Sequence, residues 1–107
     1  MVIAEKFMFP NLIDYTENGI VSKQIIKLKS GNITLFAFDE GQALSEHTAP
    51  YDALVQVVEG EADITIDQEV VTVETGECIV LPANVPHAVK ALTSFKMILT
   101  MIRECKQ

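Results

Sequence analysis

The dominant hydrophobic period along the chain is two. In "EADITID" the apolar residues Ala62, Ile64 and Ile66 alternate with Glu61, Asp63, Thr65 and Asp67. After "DQ" the alternation resumes through Val71 and Val73 in "EVVTVET". Successive side chains of a strand point to opposite faces, so residues 61–75 are expected to form a half-buried β-hairpin. Upstream, "IVSKQIIKLK" and "ITLFAFDE" flank "SGN" at residues 30–32. Gly31 and Asn32 tolerate the positive φ of a tight turn, which predicts a second hairpin. "ALVQVVEG", "ECIVLP", "HAVKAL" and "FKMILTMI" follow, each short, apolar and bounded by turn residues.

The last of these fits two periods. Phe95, Ile98, Leu99 and Ile102 share a helical face, whereas Phe95, Met97, Leu99 and Met101 alternate as in a strand. Strand is preferred, because of that alternation. Eight or nine short strands at intervals of about 8–12 residues predict an all-β, antiparallel sandwich or barrel. A small closed barrel has room inside for side chains or one small ligand, and parity along each strand decides which residues meet there.

Length and composition narrow the picture. With 107 residues, 49% of them apolar, the chain suits a single domain. That domain is expected to span residues 1–107, with 1–29 supplying N-terminal strands and an arm and 30–103 the barrel. No apolar run approaches the ~20 residues of a membrane span. The start, "MVIAEKFMFPNL", lacks a basic stretch followed by a long apolar one, so a cytoplasmic location without membrane association is expected. A net charge of −7 repels phosphate backbones, and no nucleic-acid partner is expected. Lys23, Lys27 and Lys29 fit a solvated strand edge that discourages aggregation. Cys78, inside "ECIVLP", is expected as a small buried hydrophobe and Cys105 as an exposed, inert thiol, with no disulfide between them.

The candidate chemistry rests on two histidines, His47 and His87, each near the start of an expected strand. If His47 faces the lumen, Ala49 shares its face. Ala53, Val55 and Val57 form a second inward set, and Val89 and Ala91 follow His87. Ala49, Ala53 and Ala91 would leave space around the histidines for a ligand, unless Phe36, Phe38 and Met97 fill it. Pro82, Asn84 and Pro86 in "LPANVPH" fix a rigid turn ahead of His87.

The spacing of these residues resembles that of the small single-domain cupins, the RmlC-like jelly-roll barrels of the cupin 2 conserved barrel type. Gly41, His47, Ala49, Ala53 and Gly60 keep the places of the family's first motif. Gly76, Pro82, Asn84, His87 and Ala91 keep those of the second. The resemblance implies an antiparallel double-stranded β-helix and a homodimer. It also implies a divalent transition metal (Zn, Mn, Fe or Ni) held by two histidines and a glutamate of the first motif plus a histidine of the second. Here His47 and His87 are retained as metal ligands, while alanines stand at 49 and 53 and donate nothing.

Glu46, Asp52 and Gln56 are out of phase with the inward set, and a bulge between Pro50 and Ala53 would be needed to bring one in. Cupin-fold sugar epimerases offer a metal-free precedent, a histidine base with an aspartate and a tyrosine acid, for which Asp52 and Tyr51 are the nearest counterparts. The pair therefore has three readings: structural imidazoles, a weak metal site, or a metal-free base or acid. The expected function is binding of a small molecule at a residual two-histidine site with a weakly held metal. The alternatives are a dioxygenase, isomerase or decarboxylase with a compensated ligand set, a metal-free ligand-sensing module, and a dimer scaffold. Phe7, Met8, Phe9 and Leu12 fit a segment that covers either a partner or the chain's own barrel.

Overall fold

The computed structural model describes residues 3–104. A single 3₁₀ turn, Phe9–Asn11, precedes nine strands: β1 Ile20–Leu28, β2 Gly31–Phe38, β3 Ala43–His47, β4 Ala53–Glu59, β5 Glu61–Ile66, β6 Glu69–Glu74, β7 Cys78–Leu81, β8 His87–Ala91 and β9 Phe95–Ile102. They form two antiparallel sheets, a five-stranded one in the order β1-β2-β9-β4-β7 and a four-stranded one in the order β3-β8-β5-β6. This is the expected all-β jelly-roll, and the ambiguous last element is a strand. Among the described residues no helix is long and apolar enough to cross a membrane.

Local chemistry sets the turns. Between β5 and β6, Asp67 (φ 46°) and Gln68 (φ 73°) both take positive φ, and Ile66 pairs with Glu69. That is the two-residue turn whose twist matches the flanking strands. The first hairpin departs from expectation. Leu28 pairs with Gly31, so the turn is Lys29–Ser30, and Asn32 is a buried strand residue opposite Lys27. Gly31 serves close packing here, because a Cβ on it would overlap the Met101 carbonyl oxygen.

The inner faces of the two sheets supply one core, which includes Phe38, Val55, Val57, Ile64, Phe95 and Met97. Phe38 and Phe95 stack at its centre, their rings 4.6 Å apart. Parity holds on β4, where Ala53, Val55 and Val57 are buried, and on β8, where His87, Val89 and Ala91 are buried. On β7, Ile79 packs against the core and Leu81 is part of it, which turns Cys78 outward. Cys78 is therefore exposed rather than buried, since a continuous apolar run does not say which face is in. Cys105 lies outside the described residues.

A second cluster lies on the outer face of the larger sheet, where Ile13, Phe9 and Leu12 cover Leu35, Ala37 and Ile98. The N-terminal segment thus packs on its own sheet, with Phe7 and Met8 left exposed. Lys96, only 7% exposed, fastens it. Its Nζ donates to the Pro10 carbonyl at 2.6 Å, lies 4.8 Å from the centre of the Tyr15 ring and stands 3.5 Å from the Glu59 carboxylate. The Tyr15 hydroxyl donates to that same carboxylate. Burial first, then the hydrogen bond and charge of Glu59, push the Tyr15 hydroxyl well above its ordinary pKa. Lys23 and Lys27 are exposed on the edge strand β1, and Lys29 is exposed in the turn that follows it.

Candidate functional site

The site begins with a bulge. Leu44 pairs with Val89 and His47 with His87, so β3 advances three residues while β8 advances two. The extra residue lies at Ser45–Glu46 rather than beyond Pro50, and it turns both Leu44 and His47 toward the lumen. On the other strand, "LPANVP" turns with Asn84 at positive φ (63°), and the Asn84 N–H donates to the Ala49 carbonyl at 2.7 Å. That bond ties the loop before β8 to the loop after β3. The two histidines consequently come face to face.

His47 Nε2 and His87 Nε2 stand 3.1 Å apart, with ring centroids at 4.3 Å and planes at 71°. His87 is 5% exposed, whereas His47 is exposed and forms the mouth. The other ring nitrogens face backbone carbonyls. His47 Nδ1 lies 2.9 Å from the Ser45 carbonyl oxygen and His87 Nδ1 lies 3.2 Å from that of Val85. A carbonyl oxygen only accepts, so a proton on either Nδ1 is donated there, and the three contacts share the two protons of the neutral rings. With both protons on Nδ1, both Nε2 atoms are bare and two lone pairs confront each other. A proton or a cation between or beside them relieves that repulsion. Burial, and then the neighbouring His47, hold His87 below the ordinary histidine pKa, opposed by its bond to Val85.

Behind the pair lies a cavity of about 120 Å³, lined by Phe36, Leu44, Ala49, Tyr51, Ala53, Leu81, Val89, Met97, Leu99 and Met101. Phe36 and Met97 reduce the lumen without filling it. Tyr51 reaches this cavity, but Asp52 does not: its carboxylate accepts from the Ala83 N–H at 2.8 Å. Glu46 and Gln56 are also absent from the lining. Met101 was not anticipated as a lining residue, although the alternation Phe95, Met97, Leu99, Met101 already placed it on the inward parity. A larger groove of about 600 Å³ runs over the outside of the same sheet past Leu54, Val80, Thr100 and Ile102, and it contains no histidine.

The donor set can be weighed against a divalent metal. Two nitrogens 3.1 Å apart are close enough to share one ion with bonds of about 2 Å. Yet among the described residues no three of His, Cys, Asp and Glu gather in a group able to hold a metal. Two neutral imidazoles without a carboxylate do not fit the usual divalent centre.

The architecture and the paired histidines at the barrel mouth define a small jelly-roll barrel with an open lumen. Residues 34–103 match the Cupin domain family, and the chain belongs to it. Among solved structures, it is similar to a conserved protein of unknown function from Streptococcus pyogenes, at 33% identity and a TM-score of 0.91, covering 96% of this chain and 90% of that one. A cupin superfamily protein from Desulfitobacterium hafniense aligns at 27% identity and a TM-score of 0.90, over 94% and 93% of the two chains. A Cupin 2 conserved barrel domain protein from Leptotrichia buccalis is 39% identical with a TM-score of 0.85, over 88% of this chain and 46% of that one. No curated protein matches.

Proposed function

We propose that this cupin binds a small organic acid with a largely apolar body, anchored by the two imidazoles at the barrel mouth. The observation that carries the reading is the pair of Nε2 atoms 3.1 Å apart, opening on an apolar cavity of about 120 Å³. A cavity of about 150 Å³ holds a benzene ring, so the ligand's body is of roughly that size. An acidic ligand transfers its proton to one Nε2, which removes the lone-pair repulsion. The resulting anion pairs with the imidazolium through a charge-assisted hydrogen bond. A divalent metal, with two neutral protein donors, is held weakly and only with help from the ligand's own oxygens.

Tyr51 on the same lining favours a second reading, a metal-free proton-transfer enzyme with a histidine base and a tyrosine acid. We also place a homodimer contact on the uncovered half of the larger sheet's outer face. There Ile26, Ile33, Thr100, Leu54 and Val80 run in register across all five strands beside Ile102, itself 73% exposed. Light scattering of wild-type protein against Ile102→Glu tests that contact.

The ligand is tested by screening small aromatic and branched aliphatic carboxylic acids, with the imidazole proton and nitrogen shifts as the readout. Saturable shifts at both rings, lost in a His47→Ala, His87→Ala variant that still folds, support binding. A panel that leaves both rings unmoved overturns it. Deuterium incorporation at a carbon of the bound acid, abolished by Tyr51→Phe, selects the enzyme.

A further inference from the structure

We propose that the acid bound at the histidine pair is a dicarboxylate, and that Asn32 and Lys27 receive its second carboxylate. The proposal deepens the acid-binding reading and rests on it.

The inference comes from one row of residues across the larger sheet. Lys27 pairs with Asn32, Asn32 with Met101, Met101 with Ala53, and Ala53 with Leu81. Residues in register on neighbouring antiparallel strands project to the same face of the sheet. Met101, Ala53 and Leu81 line the cavity, so Asn32 and Lys27 project to the lumen side as well. The row is apolar as far as Met101 and then turns polar. Asn32 is 8% exposed, in a strand that asparagine disfavours. Its amide oxygen accepts from the Thr34 hydroxyl at 3.5 Å, and its amide nitrogen has no partner among the described residues. No side-chain polar atom closed off from solvent is unpaired there, so that nitrogen opens on space a ligand reaches. An apolar residue at this position would avoid a burial cost of about 1–3 kcal/mol. Breaks of this kind in a local pattern gather at functional sites.

The chemistry of the second group follows from its receptors. An amide N–H beside an ammonium suits a carboxylate, which only accepts. Lys27 is exposed at the rim, and the ion pair among the described residues, Lys96 with Glu59, does not involve it. Neighbouring strands stand about 4.8 Å apart, so Asn32 on β2 lies on the order of 10 Å from Ala53 on β4. The ligand's two carboxylates are separated by about that span, with its apolar body in the lumen. Met101 stands between Asn32 and the cavity, and its unbranched thioether chain is suited to move aside.

The full chain is titrated with straight-chain dicarboxylic acids from butanedioic to dodecanedioic acid, beside the monocarboxylic acid of each length, with the imidazole shifts as readout. The expected result is an affinity maximum near octanedioic or decanedioic acid, about tenfold or more above the monocarboxylic acid of the same length. Asn32→Leu and Lys27→Glu each cut that preference to about threefold or less. Asn32→Leu is at least as stable as wild type in a thermal melt, because it removes a buried amide rather than a structural bond. Lys27→Glu, on the exposed edge strand, carries the test should Asn32→Leu fail to fold. Equal affinity for the two kinds of acid at every length, or a preference that neither variant moves, overturns the proposal and leaves acid binding in place. Imidazoles that no acid moves overturn the acid-binding reading, and this one with it.

Discussion

The Nε2 atoms of His47 and His87 face each other at 3.1 Å, and each ring is held by its Nδ1 on a carbonyl two residues back. His87 sits below the ordinary histidine pKa of 6.5, first through burial and then through His47. A group whose folded pKa is depressed binds fewer protons folded than unfolded in the window between the two values. Its contribution to stability is therefore present above the unfolded value and lost as pH falls through about 6.5 toward the folded one. Urea unfolding at pH 7.5 and pH 5.5 should show a larger loss of stability for wild type than for His87→Gln. Equal losses would mean that the ring is not held neutral by its surroundings.

Ala49 and Ala53 both line the cavity beside this pair. Ala49→His with Ala53→Glu supplies the two donors that separate the site from a four-ligand divalent centre. The double variant should bind zinc(II) or nickel(II) at least about 100-fold more tightly than wild type in calorimetry. Without metal it should be about 1–3 kcal/mol less stable, because a carboxyl is buried at position 53 without a partner. Metal should restore the loss. A variant that folds and gains no affinity would show that the backbone around the bulge no longer aims these positions at the histidines.

Strand count, hairpin 61–75 and the inward sets on β4 and β8 were legible because period two is a local signal. What failed was whatever depends on a partner. "CIVL" is apolar at every position, so the sequence could not say that Ile79 and Leu81 face in and Cys78 out; pairing with β4 decides that. The turn lies at Lys29–Ser30, two residues before the expected Gly31–Asn32, because glycine suits a turn and a close contact equally well. The bulge at Ser45–Glu46 exists only in relation to β8. The family spacing brought His47 and His87 together in outline. That their Nε2 atoms are opposed follows from ring orientations set at the Ser45 and Val85 carbonyls, whose direction no spacing reveals.

Lys96 holds the N-terminal segment through two contacts, with Pro10 and Tyr15, and pairs with Glu59 of β4. Lys96→Ala leaves a carbonyl unsatisfied and a cavity under the segment, and should cost about 2–4 kcal/mol in urea unfolding. Glu59, whose side chain is 43% exposed, matters less: Glu59→Gln should cost about 1 kcal/mol or less. The loss in Lys96→Ala should be accompanied by faster proteolytic cleavage near residues 7–15. Cleavage unchanged at matched stability would show that the segment stays seated on its apolar contacts alone.

Gly60 and Gly76 close and open the two motifs, both at positive φ, 77° and 89°. Their surroundings differ. A Cβ on Gly60 would overlap the Ser94 carbonyl oxygen and lie 2.8 Å from the Phe95 Cβ, whereas one on Gly76 meets nothing within 4 Å. Gly76→Ala therefore carries only the left-handed penalty, about 1–2 kcal/mol. Gly60→Ala adds a clash with the backbone of the loop entering β9, which cannot swing aside as a side-chain tip can. Overpacking of this kind adds about 1–3 kcal/mol, for a total of about 2–5 kcal/mol. Chemical denaturation of the two variants side by side measures the difference directly. Near-equal losses would mean that the Ser94–Phe95 backbone gives way, and that Gly60 is kept for its φ alone.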